Sequence, residues 1–183
     1  MTSYINIKKL KRLALVLGNQ LFPIDQQNID KSTTIFMCED HGLCTYEKHH
    51  KSKIALFFIA MRSYRDQLTE TGYKVKYIDC NQDFKIPYIN KLENFIKSGG
   101  YTEIEFYEIE DKNFEKEIFV LIKKLNLKYH EQKSLMFMDN RESFKNFCAE
   151  KKFLLQANYY KKNRKEFNFL VEDNKPVGGT VSY

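Results

Sequence analysis

The chain has 183 residues, a hydrophobic content of 43%, a net charge of +6, three prolines and seven glycines. This length and composition fit one folded domain, or a domain with an appendage, and exclude a largely disordered protein. No run approaches the roughly 18 apolar residues that span a bilayer, and the first residues lack a secretory apolar core, so we expect no membrane contact and a cytoplasmic location.

The four cysteines show neither the pattern of a metal site nor that of a disulfide framework. Cys38, Cys44, Cys80 and Cys148 form no CxxC pair and are spread along the sequence. Zinc ribbons and small disulfide scaffolds depend on closely spaced cysteines. We therefore expect four reduced thiols.

Strand and helix patterns alternate through the first 130 residues. Short apolar or alternating runs predict five strands, at residues 13–17, 33–39, 73–79, 103–107 and 127–130. Apolar residues at three- and four-residue spacing predict the helices between them, at residues 46–70, 86–97 and about 114–125. This alternation is typical of right-handed βαβ units. The predicted fold class is α/β, a Rossmann-like three-layer sandwich with a five-stranded parallel sheet, followed by short C-terminal helices.

The strand order decides where a ligand can bind. With order 3-2-1-4-5, the first and fourth strands flank the switch point at which a crevice opens. The first strand ends at Gly18, which is followed by Asn19 and Gln20, and neither a GxGxxG fingerprint nor a P-loop is present. Glycine lets a ligand approach the backbone, and the two amides supply donors and acceptors. A plain turn is the alternative interpretation.

The loop between the second strand and the long helix is rich in side chains that bind ligands. These are Cys38, Glu39, Asp40, His41, Cys44, Tyr46, His49 and His50. Two adjacent histidines point about 100° apart on a helix, so they do not converge easily on one ion, and we predict no metal site. The sequence also lacks a nucleophile motif such as GxSxG, and we predict no catalytic residue.

Helical phase separates the two adjacent histidines. Extending the apolar stripe of the long helix backward reaches His50 and Tyr46, which we expect to face the crevice, whereas His49 shares a face with Lys53. His50 either binds a ligand or caps the core with its ring hydrogen-bonded. A planar ligand held against Tyr46 would find polar partners at three strand ends, namely Asn19, Gln20, Glu39 and Glu108.

The character of the sequence changes after residue 140. Residues 141–165 contain eight basic residues against two glutamates, with aromatic residues between them. We predict a Rossmann-like domain at 1–140, then a basic helical extension and the start of an interdomain linker at 141–183. DNA is the alternative partner of this tract, which is otherwise a solvated or domain-docking face. The candidate phosphate contacts are Lys151, Lys152, Lys161, Lys162 and Arg164.

Six short motifs, in order, resemble the amino-terminal part of the photolyase-related proteins, the iron–sulfur bacterial cryptochromes and prokaryotic six-four photolyases. The resemblance covers about residues 12 to 179. The motifs are Leu15 to Leu21 (LVLGNQL), Cys38-Glu39, Tyr46 with His49 to Ile54, Ala60 to Arg62, Gly72 to Val75, and Lys175 to Gly179.

The resemblance implies a domain that holds an antenna chromophore, 6,7-dimethyl-8-ribityllumazine, and passes absorbed energy to FAD. In the family, FAD, the iron–sulfur cluster and the DNA-lesion pocket belong to a carboxyl-terminal helical domain. We expect this chain to be an isolated antenna-domain homologue, or one cut at the domain boundary, and not to repair DNA alone. The predicted chromophore-binding residues are Gly18, Asn19, Gln20, Cys38, Glu39, Tyr46, His50 and Glu108.

The chain departs from the family pattern at three places. Asn19 stands where the family has an aspartate, and Leu43 stands at about the place of a glutamate. The expected Gly-Gly-Lys/Arg-Trp ending reads Gly178-Gly179-Thr180-Val181. The two missing carboxylates would remove hydrogen-bond acceptors for a lumazine ring or its ribityl hydroxyls.

Overall fold

Five strands form one fully parallel sheet in a computed structural model that describes residues 10–173 and 175–177. Their order is β3-β2-β1-β4-β5, and every neighbouring pair is parallel. The predicted Rossmann-like α/β class with a five-stranded parallel sheet is therefore confirmed, and the strand order is the one that was assumed in locating the switch point. The strands are β1 (Arg12–Leu15), β2 (Thr34–Cys38), β3 (Lys74–Ile78), β4 (Glu103–Tyr107) and β5 (Lys128–Gln132).

The central strand is covered on both faces, as its unbroken apolar run predicts. Leu13 of β1 pairs with Thr34 on one side and with Ile104 on the other. Leu13, Ala14 and Leu15 are each at most 1% exposed. The switch point between β1 and β4 thus lies in the middle of a buried sheet.

Helices cover the two faces and make three layers. In chain order they are α1 (His41–Thr45), α2 (Lys51–Glu70), α3 (Tyr88–Gly99) and α4 (Lys112–Leu125). One core cluster joins Ala14 and Ile35 of the sheet to Leu68 of α2. The other joins the opposite sheet face to α3 and α4, for example Leu13 to Leu92. Alternation of side chains along each strand supplies both cores.

The long helix begins later than predicted. The expected span was 46–70, but α2 begins at Lys51, and the short helix α1 occupies part of the preceding loop. His50 has extended backbone (ψ 137°), and its ring accepts a hydrogen bond from the Ser52 amide. A side chain that caps the first free amides marks the start of a helix. The prediction that α2 reaches back to residue 46 was therefore wrong.

The ends of α3 and α4 follow ordinary capping chemistry. Gly100 ends α3 with φ 64°, and Asn126 ends α4 with φ 51°. Both residue types tolerate left-handed backbone at a helix end. The Asp111 carboxylate accepts from the amides of Asn113 and Phe114, which fixes the start of α4 beside the end of β4.

Both edge strands carry lysines. Lys74 and Lys76 lie on β3, and Lys128 lies on β5. Residues 128–131 of β5 are exposed. Charged side chains of this kind blunt the unpaired hydrogen-bonding edge of a sheet.

A second compact unit begins at Ser134. It contains α5 (Arg141–Ala149), α6 (Gln156–Glu166) and the antiparallel pair β6 (Val171–Glu172) and β7 (Lys175–Pro176). The predicted short C-terminal helices are therefore confirmed. The Tyr159 ring packs against Phe144 and Phe147, and its hydroxyl donates to Asp139 at 2.6 Å. Gly178 and Gly179 of the last family motif lie outside the described residues, as do Thr180 and Val181 of the departing ending.

None of the described helices is both long enough and apolar enough to cross a membrane.

Candidate ligand site at the carboxyl ends of the strands

A cavity of about 260 Å³ opens where β1, β2 and β4 end. This is the edge of a parallel sheet, beside the switch point, at which open α/β folds bind ligands. Its lining residues come from the three strand-end loops and from α1, α2, α3 and α4. They are Leu17, Gly18, Asn19, Cys38, Glu39, Asp40, Leu43, Cys44, Tyr46, His49, Lys53, Ile54, Phe57, Phe58, Met61, Tyr88, Ile109, Asp111 and Phe114.

The wall of this cavity is predominantly apolar and aromatic. Phe57 and Phe58 line it from α2, Tyr88 from α3 and Phe114 from α4. Tyr46 is 66% exposed, whereas Tyr88 is only 4% exposed. Tyr46 therefore lies at the mouth of the cavity and Tyr88 at its inner end. Aromatic walls with few polar groups are typical of sites for planar organic ligands.

Gly18 allows α2 to lie close to the first strand-end loop. A Cβ atom at this position would lie 2.8 Å from the Met61 sulfur, closer than side chains approach. The next residue, Asn19, donates from Nδ2 to the Glu110 carboxylate at 3.2 Å. A carboxylate thus stands beside position 19 although residue 19 is itself neutral.

Gln20 and Glu108 hold the scaffold and do not line the cavity. Gln20 is 1% exposed and donates from Nε2 to the Glu108 carbonyl oxygen at 2.8 Å. The same nitrogen lies 3.1 Å from the Glu110 carboxylate. These bonds tie the loop after β1 to the loop after β4. Of the predicted chromophore-binding residues, the cavity brings together Gly18, Asn19, Cys38, Glu39 and Tyr46.

Glu39 is surrounded by donors. Its side chain is fully buried and accepts from Arg62 at 2.6 and 2.9 Å, from the Tyr77 hydroxyl at 2.6 Å and from the Cys80 amide at 2.8 Å. Burial opposes the charge, but the hydrogen bonds from Arg62, Tyr77 and Cys80 outweigh it and lower the pKa of Glu39 to about 2. Glu39 is an anion that joins β2, α2 and β3.

Asp40 forms a second buried pair, with Lys91 of α3. The Lys91 ammonium lies 3.2 Å from Oδ2 of Asp40, and the two side chains are 4% and 3% exposed. Lys91 also donates to the Glu39 carbonyl oxygen at 3.1 Å. Oδ1 of Asp40 accepts from the Leu43 amide and caps α1, but Oδ2 receives no hydrogen bond of good geometry from any described residue.

Cys38 and Tyr88 complete the inner end of the cavity. Burial raises the pKa of the Cys38 thiol to about 11, so it is protonated at neutral pH, and it donates to the Glu39 carbonyl oxygen at 3.2 Å. Burial, with smaller contributions from Cys38 and Asp40, raises the pKa of Tyr88. Its hydroxyl has no hydrogen-bond partner among the described residues.

The histidines occupy places other than those expected. His49 lines the cavity, and its Nδ1 lies 3.4 Å from the ammonium of Lys53, which lines it too. We expected these two residues to share a helix face other than the one toward the crevice, but α2 begins only at Lys51 and both residues line the cavity. His50, expected to face the crevice, instead caps α2 outside the lining, because the helix begins only after it. No group of three His, Cys, Asp or Glu side chains in the described chain could hold a metal ion.

Two of the predicted phosphate contacts are occupied within the second unit. Lys162 pairs with Glu166 at 2.6 Å and with Asp139 at 3.4 Å. Arg164 is 8% exposed and donates to the carbonyl oxygens of Phe169 and Leu170. The three others, Lys151, Lys152 and Lys161, are exposed.

Sequence comparisons agree with this architecture. A family model described as deoxyribodipyrimidine photo-lyase-related protein matches residues 14–183. A (6-4) photolyase of Agrobacterium fabrum is 27% identical over 178 residues, which are 95% of this chain but 35% of the relative. An uncharacterized protein of Acanthamoeba polyphaga mimivirus is also 27% identical, over 95% of this chain and 92% of the relative. The chain therefore spans about a third of the length of the photolyase.

Proposed function

Since the chain belongs to the deoxyribodipyrimidine photo-lyase-related protein family, we propose that it binds a planar, light-absorbing chromophore of the lumazine type, such as 6,7-dimethyl-8-ribityllumazine. In this proposal, absorbed energy passes to FAD held by a helical flavin domain of the kind found in full-length photolyases. The protein itself would supply a rigid site that fixes the orientation of the chromophore. FAD and an iron–sulfur cluster are assigned to that other domain and not to these residues.

The observation that carries the proposal is the aromatic cavity at the switch point. Its inner end is buried and polar, its walls are apolar rings, and its mouth is exposed at Tyr46. A planar heterocycle fits between rings, with its polar edge inward and a flexible polar chain toward water. The volume of about 260 Å³ lies just below the range of about 300–1,000 Å³ for small-molecule sites. This size favours a compact bicyclic ring over a dinucleotide.

The predicted residues divide into two roles in this proposal. Gly18, Asn19, Cys38, Glu39 and Tyr46 line the cavity and would contact the ligand or its nearest neighbours. Gln20, Glu108 and His50 would act indirectly. Gln20 and Glu108 fix the two strand-end loops, and His50 fixes the start of α2.

The test is an absorption and fluorescence titration of purified protein with 6,7-dimethyl-8-ribityllumazine. Phe57→Ala removes one aromatic wall and should weaken binding about tenfold, equivalent to about 1.4 kcal/mol. Leu56→Ala is the matched control, because Leu56 is 64% exposed on the same helix and does not line the cavity. Asn19→Ala should also weaken binding, since it changes the lining beside Glu110.

Two results would contradict the proposal. One is the absence of a violet or near-ultraviolet chromophore in the protein after incubation and gel filtration. The other is binding that is equally strong in the wild-type protein, Phe57→Ala and Asn19→Ala.

Nucleic-acid binding is a second candidate function, favoured by one cleft of the second unit. Lys151, Lys161 and Lys165 line this cleft together, although Glu150 and Glu166 reduce its positive charge. Phosphate contacts would make the affinity fall steeply with salt. Duplex and single-stranded DNA should then show a gel-mobility shift with the protein at low salt. The double variant Lys151→Gln, Lys161→Gln should reduce the slope of log affinity against log salt concentration. If neither DNA shows a mobility shift at low salt, the basic tract at residues 141–165 is a solvated or domain-docking face.

A further inference from the structure

Two basic side chains lie at the mouth of the cavity. Lys53 and His49 both line it, and Lys53 is exposed while His49 is partly buried. The Lys53 ammonium lies 3.4 Å from Nδ1 of His49. The His49 ring in turn packs edge-to-face against Tyr46, with ring centroids 6.0 Å apart, and Tyr46 is 66% exposed. Three side chains in contact, Tyr46, His49 and Lys53, therefore border the opening, and we call them the mouth cluster.

The positive charge of the mouth cluster has no acidic partner in the part of the chain that the structure describes. The contact that Lys53 makes through its ammonium is the one with His49, and neither residue forms an ion pair with a carboxylate there. The helix that carries Lys53 has no acidic residue in its first turn. The dipole of this helix is positive at the same end, so it adds to the lysine charge and does not offset it.

The carboxylates that line the cavity are already held by other groups. Glu39 and Asp40 are buried in the two ion pairs described above. Asp111 accepts hydrogen bonds from two backbone amides at the start of α4. Lys53 is the one lysine or arginine among the described residues of the lining. The mouth of an apolar aromatic cavity thus offers positive charge to whatever enters it.

We infer that the mouth cluster binds an oxyanion of the ligand, so that the preferred ligand is a planar ring with a phosphate on its water-facing chain. Lysine binds phosphate as a point charge, and its ammonium has three N–H donors, of which two remain when one is directed to His49. The ring of His49 can supply a further N–H donor beside it. Lys53 and His49 are then specificity-determining residues. This inference deepens the proposed function and depends on the cavity being a ligand site.

The experiment uses two pairs of ligands that differ within each pair only in a phosphate group, and it uses the full chain. The first pair is 6,7-dimethyl-8-ribityllumazine and its ribityl 5′-phosphate. The second pair is 1-naphthol and 1-naphthyl phosphate, which are compact bicyclic rings but not antenna chromophores. Fluorescence titration at low salt gives the affinity of each ligand. The ratio of affinities within a pair measures the phosphate preference.

Three variants locate the preference. Lys53→Met removes the ammonium and keeps an unbranched side chain, whereas Lys53→Arg keeps a positive charge at the same place. Lys51→Met is the matched control, because Lys51 is exposed in the first turn of the same helix and lies outside the cavity lining. Both positions are exposed, so circular dichroism should be the same for all four proteins.

The wild-type protein should bind the phosphorylated member of each pair about tenfold more tightly, a modest preference because water screens an exposed lysine. Lys53→Met should lose most of this preference, and Lys53→Arg and Lys51→Met should keep it. Added salt should reduce it, since salt screens exposed charges. Equal affinity for the two lumazines, or an unchanged preference in Lys53→Met, overturns the inference while leaving the antenna function standing.

The naphthyl pair separates the two proposals where neither lumazine binds. If 1-naphthyl phosphate then binds in a Lys53-dependent way, the inference stands and the antenna function fails. If it binds equally well to the wild-type protein and Lys53→Met, or if none of the four ligands binds, both proposals are overturned.

Discussion

Two acidic side chains follow β2, and their surroundings differ. Glu39 accepts four hydrogen bonds, from Arg62, Tyr77 and the Cys80 amide. Asp40 is the next residue, yet its Oδ2 lies beside Lys91 without a hydrogen bond of good geometry from any described residue. We call Glu39 and its donors the closed cluster, because donors from several elements surround it, and the Asp40–Lys91 pair the open cluster, because a single ion pair holds Oδ2 of Asp40.

The difference teaches how a buried acid can be interpreted. A carboxylate whose acceptor sites are filled by side chains from several elements serves mainly to join those elements. A desolvated carboxylate oxygen that is held by one ion pair depends on that single partner, and loss of the partner is strongly destabilising. Among the residues of this loop, Glu39 fits the first description and Asp40 the second. Four predictions test the distinction, from the largest expected effect to the smallest.

Breaking the open cluster should have the largest effect on stability. Lys91→Met leaves Asp40 charged, buried and unpaired, so the free energy of unfolding should fall by about 3–5 kcal/mol. Urea denaturation measures this loss in the free energy of unfolding. Lys97→Met is the matched control on the same helix, because Lys97 is 59% exposed and its partner Glu93 keeps a second pair with Lys124. Its loss should cost less than about 1 kcal/mol. Adding Asp40→Asn to Lys91→Met should recover part of the loss, and no recovery would argue against the ion pair.

Breaking the closed cluster should cost slightly less. Glu39→Gln removes the charge that binds Arg62, but Arg62 is 41% exposed and can turn toward water. We expect a loss of about 3 kcal/mol in the free energy of unfolding. Glu47→Gln, at an exposed position of the same loop, is the control and should change little. A similar stability for both variants would show that the closed cluster does not join the elements.

Lowering the pH should remove the contribution of Glu39 to the free energy of unfolding. The folded-state pKa of Glu39 is lowered to about 2 from 4.5, so its contribution is complete above about pH 4.5 and is lost as the pH falls through about 2. The shift corresponds to about 3 kcal/mol. Urea denaturation of the wild-type protein and Glu39→Gln across this interval should give stabilities that converge as the pH falls. Parallel curves would contradict the assignment.

Two of the buried tyrosines, Tyr88 and Tyr64, give the smallest and most selective comparison. Tyr88→Phe removes a hydroxyl that has no described partner, so the ligand-free protein should change by less than about 1 kcal/mol or become more stable. Tyr64→Phe removes a hydroxyl that donates to the Phe22 carbonyl oxygen at 2.6 Å and accepts from Gln27, and it should cost about 1–3 kcal/mol. Thermal or urea unfolding without ligand measures both. A larger loss in Tyr88→Phe would mean that its hydroxyl is already bonded.

The sequence predicted what depends on local pattern. The five strands followed from apolar runs such as residues 13–17 and from alternation with helices, and strand four was predicted at the observed bounds of β4. Their order was an assumption, because local patterns do not determine which strands pair. The start of α2 was missed because residues 46–50 suit a helix as well as a loop. There the ring of His50 supplies a cap that Ser, Thr, Asp or Asn usually supplies.

The candidate site was predicted only in part, because its key pairs are long-range. Arg62 is 23 residues from Glu39, and Lys91 is 52 residues from the carbonyl oxygen that it binds. A lysine in an amphipathic helix is usually solvated, so nothing local marks Lys91 as buried. Tyr88 likewise resembles an ordinary core aromatic residue. The one local signal was Asp40 directly after a buried strand end.

The lysines on the two edge strands affect how the folded protein associates with other molecules. Lys74 and Lys76 on β3 and Lys128 on β5 place positive charge along the two borders of the sheet, neither of which pairs with another described strand. Two copies that approach border to border bring like charges together, which disfavours growth of a continuous sheet between molecules. Concentrated protein should therefore resist ordered aggregation through strand addition. Under the proposed antenna function, a flavin domain is then expected to dock on helix or loop surfaces and to leave the sheet borders free.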